Sequence, residues 1–149
     1  MSETERLINA SAADVFAVLA DGWSYAAWVV GASRIRDVEP DWPLPGSSIH
    51  HSVGAWPLLI NDTTTVIRYE PLRLLELKVR AWPTGEGTVE LEASEADGVC
   101  HVVMRERMTK GPATLLPPQV ADPLLHVRNA ETLQRLALLA EGRAKNKGA

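Results

Sequence analysis

Between Ser33 and Met108 the chain is a succession of strand-like runs separated by turn residues, and this pattern limits the possible folds more than any other feature. The runs are Arg34 to Val38, Ser48 to Gly54, Ile60 to Tyr69, Arg73 to Ala81, Thr88 to Ala93 and Val99 to Met108. Between them lie a loop at Asp41 to Gly46, a break at Ala55-Trp56-Pro57 and turns at Glu70-Pro71, Thr84 to Gly87 and Asp97-Gly98. A parallel pair of strands needs a crossover of a dozen or more residues, usually a helix. No gap here has room for one, so the runs predict an antiparallel meander of about six strands.

What flanks the meander is helical. Thr4 to Ala10 reads as a first strand that ends at a cap signal, Ser11-Ala-Ala-Asp14. Val15, Phe16, Val18 and Leu19 then give a short helix its apolar face, and Trp23 to Val30 follows as a second short helix. After a loop from Gly111 to Pro118, Asp122 to Arg143 reads as one long closing helix. Asp122 is suited to the N-cap and Pro123 to the first helical position, where its missing N–H costs nothing. Gly142 marks the far end, with Arg135 and Arg143 near the negative pole of the dipole. At about 100° per residue, Leu125, Leu133, Leu136, Ala137 and Ala140 share a face with His126 and Asn129. Arg128, Glu131, Thr132 and Arg135 lie on the other side. Leu124, Val127 and Leu138 sit opposite the main apolar face, where they would pack on the first two helices or form an oligomer contact.

The order is strand, two helices, meander, long helix: an α+β chain with a sheet of about seven strands. One helix is about 10 Å wide and cannot cover the apolar face of such a sheet. The gap must be filled by large side chains or by a ligand. With one Phe, two Tyr and five Trp to fill it, a ligand-sized cavity is expected. The N-terminal half of the closing helix should face that cavity, the half from Leu133 to Ala140 should clamp the sheet, and the segment from Gly111 to Pro118 should act as a lid.

Composition excludes several function classes. The 149 residues correspond to one ordinary domain spanning 1–149. A net charge of −4 without a basic block argues against nucleic acid as a partner. The charged start, Met1-Ser-Glu-Thr-Glu-Arg6, and the absence of a long apolar run argue against a signal peptide or membrane insertion. A single cysteine, Cys100, suits a reducing compartment, so a cytoplasmic location is expected.

Few residues could carry chemistry. Glu106 shares its strand face with Val102, Met104 and Met108, and a carboxylate on such a stripe can serve as a general acid or base. His126 could donate a proton to a ligand carbonyl, with Asn129 as a second hydrogen bonder. His50 and His51 look like a metal pair, but neighbours on a strand point to opposite faces. Only His51, in phase with Ile49 and Val53, points inward. Trp28, Trp42, Trp56 and Trp82 sit at turns and strand ends, where rings suit a flat apolar ligand at a cavity mouth. Expected ligand contacts are therefore Trp28, His51, Trp56, Met104, Glu106, His126, Asn129 and Leu133. Gly85-Glu-Gly87 lacks the third glycine and following helix of a dinucleotide loop, and no Gly-x-Ser-x-Gly elbow is present. Neither a cofactor nor a metal is expected.

Taken in order, Asn9-Ala-Ser11-Ala-Ala-Asp14-Val15-Phe16, Trp28, Pro45-Gly46, Tyr69-Glu70-Pro71, Asp97-Gly98 and Thr132-Leu-Gln-Arg-Leu136 resemble the polyketide cyclase/dehydrase-like branch of the SRPBCC (START-like) superfamily. The resemblance covers nearly the whole chain. It implies a helix-grip fold with a deep cavity, and ligands of lipid, polyketide, quinone or hormone type. That superfamily holds both cyclases or dehydratases and non-catalytic carriers, so fold alone does not fix function. Three readings follow: a binding protein for a small hydrophobic or aromatic molecule; a cyclase, aromatase or dehydratase with Glu106 or His126 as acid/base; and an interaction module, monomeric or homodimeric.

Overall fold

The computed structural model describes residues 2–54, 59–81 and 85–147. Strand β1 (Ser2–Ile8) leads into helix α1 (Ala12–Ala20), a 3-10 turn (Gly22–Ser24) and helix α2 (Tyr25–Trp28). Six strands follow: β2 (Ala32–Val38), β3 (Ser48–Val53), β4 (Ile60–Glu70), β5 (Leu74–Ala81), β6 (Gly85–Ala96) and β7 (Val99–Lys110). A second 3-10 turn (Pro112–Leu115) precedes helix α3 (Pro118–Lys147). The strands form one antiparallel seven-stranded sheet, ordered β1-β7-β6-β5-β4-β3-β2. The first strand thus pairs with the last, Thr4 facing Met104, and the two helices after β1 carry the chain to the opposite edge. This is the helix-grip arrangement that the family resemblance implies.

Local chemistry explains most boundaries. Ser11 caps α1, its hydroxyl accepting from the Asp14 amide at 3.1 Å. At the β6–β7 turn Asp97 and Gly98 both have positive φ, 53° and 76°, as a two-residue type I′ hairpin requires. Register shifts between Val66 and Arg68 and between Glu86 and Gly87 are bulges of the kind that bend strands. The segment read as a turn, Thr84 to Gly87, is instead strand from Gly85 onward, and Thr84 lies outside the described residues. Its glycines answer a different need. A Cβ on Gly87 would lie 2.7 Å from the Arg107 carbonyl oxygen, so glycine marks close approach of β6 to β7.

Helix α3 is longer at both ends than its cap signals predict. The Pro117 carbonyl accepts from Val120 and Ala121 at 2.9 and 3.0 Å, so the helix begins at Pro118, itself well suited to the first helical position. Asp122 and Pro123 are therefore interior, not the cap and first residue. Pro123 forfeits one backbone bond, to the carbonyl of the exposed Gln119. Gly142 does not stop the helix either, which runs on to Lys147.

The clamp is the C-terminal half of α3. Leu133, Leu136, Ala137 and Ala140 are buried with Ile8, Val15, Phe16 and Leu19, and α3 packs mainly on β1, α1 and α2. Burial of a leucine such as Leu136 contributes roughly 1.5–3 kcal/mol, while the two alanines let the helix come close to its neighbours. Leu124, Val127 and Leu138 do not pack on α1 and α2 as expected; all three are exposed. The first two helices lie against the Leu133–Ala140 side, which leaves the opposite side to solvent.

Candidate functional site

Where α3 rises from the sheet, a cavity of about 390 Å³ remains. Its sheet side is Leu77, Val79, Val89, Met104, Glu106 and Met108; its helix side is Ala121, Leu125, Arg128, Asn129 and Thr132. Tyr25 and Trp28 of α2, with His51 of β3 and Thr64 of β4, form a further wall. Leu116 and Leu124 also line the cavity and are exposed to solvent, so they belong to its rim.

The strand side was readable because a strand alternates faces. Met104 and Glu106 are both buried and line the cavity. His51 is inward as well, with Ile49, while His50 turns to the other side and meets Glu39. Trp28 lines the cavity from within α2, where it is buried. Trp42 is a core residue whose indole N–H donates to the Leu19 carbonyl at 3.2 Å. Trp56 and Trp82 lie outside the described residues.

The helix side departs from expectation. Asn129 is buried and lines the cavity, but His126 is exposed and does not; its Nδ1 lies 3.2 Å from the Thr4 hydroxyl on the edge strand. Leu133 is a core residue, not part of the wall. Arg128 and Thr132, assigned to the outer side, are cavity residues. The cause is geometric. The inward stripe changes from Leu133, Leu136, Ala137 and Ala140 to Ala121, Leu125, Arg128 and Asn129, a turn of roughly 90° at 100° per residue. The C-terminal half rests on β1 and α1. The N-terminal half has the sheet on one side only, so its continuing apolar line carries His126 out over the sheet edge. One wheel drawn for the whole helix cannot show this.

Polar groups in the cavity fall into two sets. At one side Glu106 is buried, and both its carboxylate oxygens accept from the Nη2 group of Arg128. The arginine side chain is 40% exposed, so the pair joins the cavity interior to solvent. This charge-assisted contact ties the first turns of α3 to β7. Sequence reasoning missed Arg128, although a buried strand carboxylate calls for a cationic partner. The other set holds unpartnered atoms: Trp28 Nε1, His51 Nδ1, and both Nδ2 and Oδ1 of Asn129 are buried without a hydrogen-bond partner. His51 uses its other nitrogen, Nε2, on the Thr64 hydroxyl at 2.9 Å, and Thr64 also meets the Tyr25 hydroxyl at 2.9 Å. Burial lowers the His51 pKa below its usual value, with opposing influence from Asp62, and pushes that of Tyr25 up to about 12. The neutral forms of both rings are favoured. Thr132 accepts from the Val30 amide at 3.3 Å and fastens α3 to the segment after α2.

Among the described residues no group of three His, Cys, Asp or Glu is placed to hold a metal ion, and no helix is long and apolar enough to cross a membrane.

A seven-stranded antiparallel sheet gripping a long helix over a cavity defines the SRPBCC class. Residues 2–141 match the family described as polyketide cyclase / dehydrase and lipid transport, and the chain belongs to that family. Solved structures agree on the fold. The di-domain ARO/CYC StfQ from the steffimycin biosynthetic pathway matches with a TM-score of 0.71 at 13% identity over 96% of this chain. The chain spans 51% of StfQ. Protein NE0264 from Nitrosomonas europaea matches with a TM-score of 0.68 at 14% identity, covering 95% of this chain and 94% of that one. Ara h 8.0201 matches with a TM-score of 0.65 at 14% identity, covering 97% and 96%. No curated protein matches the sequence.

Proposed function

We propose that the protein, acting as one ligand-binding domain, takes up a small hydrophobic or aromatic molecule of lipid, polyketide or quinone type between sheet and α3. One observation carries this reading. A cavity of about 390 Å³ with largely apolar walls is bordered by three side chains whose buried polar atoms lack partners. Folded proteins pair nearly all such groups, so those left bare beside a cavity are the natural contacts of a guest. Affinity comes mainly from apolar burial, at about 25 cal/mol per Å². The polar atoms fix orientation.

A panel of palmitate, 1,4-naphthoquinone and anthraquinone, read by native mass spectrometry and thermal unfolding, tests this. A ligand present at 100 times its Kd should stabilise the fold by about 2.7 kcal/mol, or roughly 5–10 °C in Tm. A panel with neither adducts nor shifts counts against it.

A catalytic reading rests on Glu106 alone, a buried carboxylate that borders the cavity, since His126 lies outside. As an acid or base Glu106 would have to exchange its contact with Arg128 for one with the substrate. In that case Glu106→Gln abolishes turnover of a polyketone substrate and leaves binding intact; unchanged turnover excludes it.

A further inference from the structure

The chain of hydrogen bonds behind the cavity wall fixes which way one imidazole points its proton. A neutral histidine carries one N–H, and a threonine hydroxyl has one proton to give. Three arrangements of the Tyr25–Thr64–His51 chain are open. In the first, the phenol donates to Thr64 Oγ1, the Thr64 hydroxyl donates to His51 Nε2, and the imidazole proton sits on Nδ1. The remaining bare group is then the Nδ1–H. In the second, His51 Nε2–H donates to Thr64 and Thr64 donates to the phenol oxygen. The Tyr25 proton then has no acceptor among the contacts of the described residues, and the Nδ1 lone pair is bare as well. In the third, Thr64 accepts from both neighbours, and its own proton and the Nδ1 lone pair are bare among the contacts of the described residues. Either alternative leaves two buried groups unpartnered instead of one, so the first arrangement is favoured.

Trp28 Nε1 can only donate, and it too is buried without a partner. The Trp28 and His51 rings both pack against Tyr25, with centroids 5.4 and 5.3 Å from its own. This part of the cavity wall therefore offers two unpartnered hydrogen-bond donors. Asn129, on the helix side, offers one of each kind.

We propose that Trp28 and His51 are specificity-determining donors for oxygen acceptors of the bound molecule, and that Thr64 and Tyr25 are positioning residues that hold His51 as its Nδ1–H tautomer. This rests on the ligand-binding reading above and narrows it to guests that present carbonyl or enolate oxygens to this wall.

Two measurements test it. In ¹⁵N-labelled protein at pH 7.5, long-range ¹H–¹⁵N correlation should show His51 Nδ1 protonated and Nε2 bare. The Nε2–H pattern overturns the proposal without any variant being made. Binding is then compared for 2-acetylnaphthalene and its near-isostere 2-isopropenylnaphthalene, in which a methylene replaces the carbonyl oxygen. Wild type should prefer the ketone by about tenfold. Thr64→Val should mix the tautomers and erase most of that preference, read as the ratio of the two affinities within the variant, while Thr64→Ser should retain it. Equal affinity of wild type for the two probes overturns the donor assignment and leaves the ligand-binding reading standing. Failure of both probes to bind overturns the donor assignment, and the ligand-binding reading then stands or falls on the palmitate and quinone panel.

Discussion

Asn129 is the position where fold and site conflict most openly, and replacing it with leucine separates them. The residue is 0% exposed, and both atoms of its amide lack partners. An unpartnered buried polar group costs about 1–3 kcal/mol. Leucine removes that cost and adds apolar burial on the line of Leu133 and Leu136. Against this stands a shape mismatch of about 1 kcal/mol, since leucine branches differently from asparagine. The balance is a gain of roughly 1–2 kcal/mol, or about 3–6 °C in Tm for a chain of this size. Urea unfolding monitored by circular dichroism, with the m-value checked for constancy, measures it. The same substitution should weaken binding of whichever ligand the panel yields, because the guest loses a donor and an acceptor. A variant that is less stable than wild type by more than about 1 kcal/mol at unchanged m would refute the reasoning. The amide would then have partners in the unliganded protein.

Other positions give sharper tests of single contacts. Arg128→Met strands a buried carboxylate and should cost roughly 2 kcal/mol, less than the ~3–5 kcal/mol for a wholly buried pair because the guanidinium is partly solvated. Adding Glu106→Gln should recover part of that loss, and a double-mutant cycle by urea unfolding reads the coupling. Gly142→Ala should stabilise by about 0.5–1 kcal/mol, since the position is helical and a Cβ there meets nothing within 4 Å. A lower Tm would contradict that helical assignment. The lowered His51 pKa means that the unfolded chain binds this proton more readily than the folded one. The His51 contribution to stability is thus intact above pH 6.5 and lost as pH falls from 6.5 towards the folded value, with a slope of at most about 1.4 kcal/mol per pH unit. For Tyr25 the sign reverses, and stability should fall between pH 10 and about 12. Urea unfolding of wild type against His51→Gln across pH 5–8 isolates the histidine's part.

Strand residues were legible because alternation is a property of the strand itself. Phase with Ile49 placed His51, and phase with Met104 placed Glu106, with no knowledge of their neighbours. Helix residues were not legible in the same way. An α-helix has no fixed inner face; its inner face is whatever another element covers, and that cover changes along α3 as the sheet edge passes beneath it. Hence the helical pattern puts His126 inward and Arg128 outward, and the structure has them the other way round. Gly85 and Gly87 mislead for a related reason. Glycine serves turns and close strand contacts alike, and only the Lys110 carbonyl beside Gly85 and the Arg107 carbonyl beside Gly87 distinguish them. The His51–Thr64–Tyr25 chain joins three separate elements and leaves no local pattern to find.

The two halves of α3 are anchored by different kinds of force, and this separates how long the fold lasts from how fast the cavity exchanges its contents. From Leu133 to Ala140 the anchor is apolar and continuous, so releasing it amounts to global unfolding. From Pro118 to Thr132 the anchors are chiefly individual polar contacts, Arg128 to Glu106, His126 to Thr4 and Thr132 to Val30. Local opening of such a segment costs less than the free energy of the whole. The proposed guest should therefore pass while the clamp holds, and substituting Arg128 should change its passage rate without altering the lifetime of the native state in proportion.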